Sequence, residues 1–94
     1  MTNQILKGAY SLTSQIIQIE PGTNFERRSE LDNQLASYLE RLVEFATQNG
    51  VVIPKFNISR IRSSDYGLSE LLFEIDLAEM ELRKYVRGQS NLNF

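Results

Sequence analysis

Residues 64–88 read SDYGLSELLFEIDLAEMELRKYVRG, and the way their apolar positions fall decides the fold class. At roughly 100° per residue, Leu68, Leu71, Leu72, Ile75, Ala78, Leu82, Tyr85 and Val86 gather into one broad stripe, the pattern of a helix with a face in a core. Phe73, Leu77 and Met80 form a second stripe nearly opposite. One core does not bury both. The spacing therefore predicts a helix over about 64–87, held between two packing partners and central to the molecule. Ser63 or Ser64 offers a cap, Asp65 lies in the first turn, and Arg83, Lys84 and Arg87 precede Gly88, so the charges suit the helix dipole. Glu79 and Arg83 make a favourable i, i+4 pair.

The segment before this helix is of another kind. VVIPKFNISRIRS, residues 51–63, clusters β-branched residues, and Pro54 forbids a helix interior. It reads as an extended arm, longer than most interhelical loops and packed down through Val52, Ile53, Phe56, Ile58 and Ile61. A further helix precedes it over about 24–48. There Leu31, Leu35, Tyr38, Leu42 and Phe45 repeat at four and three against a polar side of Glu30, Asn33, Ser37, Glu40 and Glu44. Thr23 with Glu26 fits a capping box at its start, and Asn49 and Gly50 supply its stop. At the N-terminus, Ile5, Ala9, Leu12, Ile16 and Ile19 give a helical seam over 3–19, widened by Leu6, Tyr10 and Ile17. Gly8 and the near-alternating SLTSQIIQIE count against it, and leave a strand as the alternative for 8–19. Pro21 and Gly22 end the segment. The fold expected is thus all-α: one domain over 1–94, with three helices (3–19, 24–48 and 64–87), an extended arm at 51–63, a frayed tail at 88–94, and assembly as a helical-bundle dimer.

Composition narrows the function. Ninety-four residues at 41% hydrophobic and 23% charged describe an ordinary globular chain. It has no cysteine and no histidine, which removes disulfides, thiolate nucleophiles, the usual zinc sites and histidine acid/base chemistry. No signal-peptide pattern and no long apolar run is present, so a cytoplasmic location without membrane contact is expected. Net charge is −2, and only the arm is basic. Lys55, Arg60 and Arg62, with Phe56 among them, are a weak signal for phosphate contact or base stacking. The expectation is that the acidic seam of Glu70, Glu74 and Glu81 neutralises them, or that they meet an acidic partner. Carboxylate pairs such as Glu70 with Glu74 and Glu40 with Glu44 read as solvated helix faces, and neither a metal nor a cofactor is expected.

Two features carry the functional expectation. Left exposed, Phe73, Leu77 and Met80 would each forgo roughly 1.5–3 kcal/mol of burial, so either another part of the chain or another protein covers them. Glu79 points into the main stripe and needs a cationic partner, with Arg41, Arg60 and Arg62 as candidates. The chain is expected to be a protein-interaction module, an adaptor, assembly factor or regulator that binds another protein or its own copy and performs no catalysis. The second expectation is a nucleic-acid-binding regulator that uses the basic arm.

Overall fold

The computed structural model describes residues 2–88. Along it run four helices: α1 (Thr2–Ile17), α2 (Phe25–Gln48), α3 (Ile58–Arg62) and α4 (Leu68–Arg87). No strand is present among the described residues. The chain is all-α, with its three long helices close to the predicted bounds and residues 8–17 helical. The predicted tail, 88–94, lies outside the described residues beyond Gly88.

The glycine that counted against α1 is what brings it close to α2. A Cβ on Gly8 would stand 2.7 Å from Cε1 and Cζ of Tyr38, so the ring occupies the space a side chain would need. Around this approach Ile5, Leu6, Ala9, Leu12 and Ile16 are buried, whereas Ile17 is exposed. Arg27 Nη2 of α2 donates to Gln15 Oε1 at 3.1 Å, and with Gly8 beside Tyr38 this makes the two helices antiparallel.

The predicted capping box does not form. Thr23 Oγ1 donates instead to the Glu20 carbonyl at 2.6 Å, closing the turn that Pro21 and Gly22 begin. The residue before α2 is Asn24, in the left-handed region at φ 51°, and its side chain makes no capping bond. Asparagine tolerates that conformation better than most residues. At the other end the predicted stop is present. Gly50 sits at φ +68°, with Gly50 N–H on the Thr47 carbonyl and Val51 N–H on the Ala46 carbonyl, the two bonds of a Schellman motif.

From Gly50 the chain does not turn directly into the next long helix. It runs back along α2: Phe56 and Ile58 lie beside Val43 and Glu44, Arg62 donates to Asn33 and Ser37, and Ser64 reaches Asp32. This strap is the predicted arm with one correction. Its second half is not extended, because Asn57 caps the short helix α3 by accepting from the Arg60 N–H at 3.2 Å. Having returned to the start of α2, the chain enters α4 parallel to it. Tyr66 bonds Asp32 at one end, and Tyr85 meets Phe45 and Asn49 at the other.

The central element is therefore α2 and not α4. Leu31, Leu35, Ala36, Leu39, Leu42 and Ala46 are buried on a wide face, because α1 covers one side and the strap with α3 the other. On α4 the main stripe is in the core as predicted, with Leu71, Ile75, Ala78 and Leu82 buried. On its opposite face Phe73 and Met80 are exposed, and no other helix among the described residues packs there.

Candidate functional site

α4 presents two unlike faces. Its buried face is fixed by the core, so the outward line is held in register whatever meets it. On that line Phe73 is 64% exposed, Met80 is 48% exposed, and Leu77 between them is half-buried. Of the two alternatives for covering this second stripe, cover by α1 or α2 is not adopted, since both helices pack on the other side. Other large exposed apolar residues are Ile17, Phe25 and Val52, which lie on three different segments and form no helical line.

Charge is uneven along α4. Glu70, Glu74 and Asp76 stand in the first half, and Arg83, Lys84 and Arg87 stand in the second beside Glu79 and Glu81. Tyr10 of α1 donates to Asp76 and, at 3.3 Å, to Glu79. Burial, and after it the bond to Asp76, pushes the Tyr10 hydroxyl pKa above its usual value. Glu79 is not paired with Arg41, Arg60 or Arg62. Its cation is Arg83 at 3.1 Å, one turn along the same helix, and the carboxylate stands at the edge of the stripe, 29% exposed. The strap stays too far toward the start of α2 for its arginines to reach it.

Two of the arm's three cations, Arg60 and Arg62, are ion-paired, but not with Glu70, Glu74 or Glu81. Arg60 pairs with Asp65 at 3.3 Å. Arg62 pairs with Glu40, and its Nη1 donates to Asn33 Oδ1 at 3.3 Å. Phe56 is buried, 8% exposed, and has no face to offer a base. Only Lys55 and the outer sides of the two arginines face solvent. Phe56 and Arg62 thus fasten the strap to α2, while Arg60 is paired within the strap and Lys55 faces solvent.

No family model, curated protein or solved structure matches the chain. What it can do rests on its own geometry.

One polar centre escaped the sequence reading. Asp32 is wholly buried; Oδ1 accepts from Tyr66 at 2.6 Å, and Oδ2 accepts from Arg28 Nε at 2.8 Å and from Ser64. The Arg28 guanidinium also lies over the Tyr66 ring, 5.5 Å from its centroid. Ser64 adopts φ 60°, an unfavourable conformation for serine that persists where surroundings enforce it; here its hydroxyl is held on Asp32. The signal was present: Asp32 stands four residues before Ala36 and seven before Leu39, on the same buried side of α2. With donors on both oxygens and no exposed surface, Asp32 ties Tyr66 and Ser64 to α2, and the cluster is a latch between α2 and the entry to α4. Among the described residues no group of acidic side chains is arranged to hold a metal ion, and no helix is long and apolar enough to cross a membrane.

Proposed function

We propose that this chain is a protein-interaction module, an adaptor, assembly factor or regulator that acts by binding and not by catalysis, through Phe73, Leu77 and Met80 on α4. The observation that carries this reading is an apolar row on the outer face of a helix whose inner face is locked in the core. Exposed apolar side chains in a contiguous row mark association surfaces more often than single ones do. A helix with anchors at i, i+4 and i+7 suits a helical or grooved protein partner.

The test is capture from cell extract on immobilised wild type, Leu77→Asp and Phe73→Ser proteins. Proteins retained by the wild type should be lost from both variants and should survive nuclease treatment. Equal retention by all three would sink the proposal.

A further inference from the structure

We infer that the partner of the α4 ridge is a second copy of the same ridge, packed antiparallel about a two-fold axis that passes between Leu77 and Met80. The inference rests on the binding-module reading above and names its partner. The three-and-four spacing of Phe73, Leu77 and Met80 continues through Glu70 on one side and through Lys84 and Arg87 on the other. All three charged residues are exposed. The outward row of α4 is therefore acidic at its start, apolar in its middle and basic at its end.

Such a row is complementary to itself only when inverted. Antiparallel pairing sets Leu77 against Met80 of the second copy, Phe73 against the Lys84 stem, and Glu70 against Arg87, each contact being made twice. Parallel pairing would set Glu70 against its twin and Arg87 against its twin, and would align the two helix dipoles unfavourably. On the flank that carries Glu74 and Glu81, Lys84 holds Glu81 at 3.1 Å and offsets its meeting with Glu74 of the second copy.

Sedimentation velocity over a wide concentration range at low salt should show a monomer–dimer equilibrium for the wild type. Phe73→Lys alters a mostly exposed position that the fold does not need, and it should weaken dimerisation by about tenfold or more with helicity unchanged. Glu70→Arg alone should weaken it, and Glu70→Arg combined with Arg87→Glu should restore it. Because the chain has no cysteine, orientation is read directly by mixing Glu70→Cys and Arg87→Cys proteins and oxidising them. Crosslinks between positions 70 and 87 should dominate over those between like positions. A dominant 70-to-70 crosslink would overturn the antiparallel arrangement. A wild type that stays monomeric at the highest concentration would overturn self-pairing, and ridge-dependent capture of another protein would then leave the binding-module reading standing. A dimer untouched by Phe73→Lys and Leu77→Asp would likewise overturn self-pairing of the ridge.

Discussion

Asp32 shows what a single side chain holds together in this molecule. Removing it strands Tyr66, Ser64 and the partly buried Arg28 at once, so Asp32→Ala should lower stability by about 2–3 kcal/mol in urea unfolding. A cost within the range of an ordinary surface change would mean that the latch does not hold. The same centre sets an alkaline limit. Burial, and then the bond to Asp32, raises the Tyr66 pKa above its ordinary value of 10.0. The native state therefore keeps a proton that the unfolded chain releases, and this contribution is intact below pH 10 and lost as pH rises beyond it. Stability should fall above pH 10, and Tyr66→Phe should make the fall shallower; an unchanged slope would remove Tyr66 as its cause. Gly8 is the other residue whose meaning needed a neighbour. Ala in place of an interior helix Gly ordinarily gains up to about 1 kcal/mol, but here it meets the Tyr38 ring. Gly8→Ala should give no gain in the wild type and should stabilise the Tyr38→Ala variant, a double-mutant cycle that reads the contact itself. The sequence alone counted Gly8 against a helix, because a close approach between two helices belongs to neither.

At the scale of elements, the helices were legible wherever the apolar period was strong, and the start of α2 was not. Thr23 and Glu26 have the spacing of a capping box, but Thr23 has an alternative acceptor in the Glu20 carbonyl, and a turn closed locally takes the hydroxyl first. The width of α2 was also under-read: Ala36 and Asp32 extend its buried side, yet neither looks like a core anchor in a list of apolar positions. Glu79 was read into the main stripe but stands at its edge, where the local i, i+4 partner Arg83 holds it and no cation of α2 or the strap is needed. Paired with Arg83 at the edge of the stripe, it should tolerate Glu79→Gln with a change of about 0.5 kcal/mol or less in thermal unfolding. The strap bears on the nucleic-acid reading. Its arginines are engaged with Glu40 and Asp65, so labelled DNA and RNA should show no shift at low salt, where phosphate contacts bind most strongly. A shift abolished by Arg60→Ala with Arg62→Ala would reinstate that reading.

For the whole molecule, with 74% of the described residues helical, circular dichroism should give a helical content well above half, against an average of about one third for globular chains. The all-α class was legible because three long segments each carry their own period. The inward face of α4 was legible too, since its broad stripe is the buried one; the order of packing was not, because the second stripe made α4 look central and no period shows that the strap returns along α2. That returning strap has a consequence for how the chain assembles itself. The short turn between α1 and α2 closes at little entropic cost, whereas α4 docks only after the chain has travelled back along α2 and fastened at Asp32. The α1–α2 hairpin and α4 should accordingly open as separate units in native-state hydrogen exchange, the amides of α4 trading first and those of Leu35 to Leu42 last. A nascent chain would thus hold a closed hairpin, with the inner face of α2 still partly bare, until its last helix arrives.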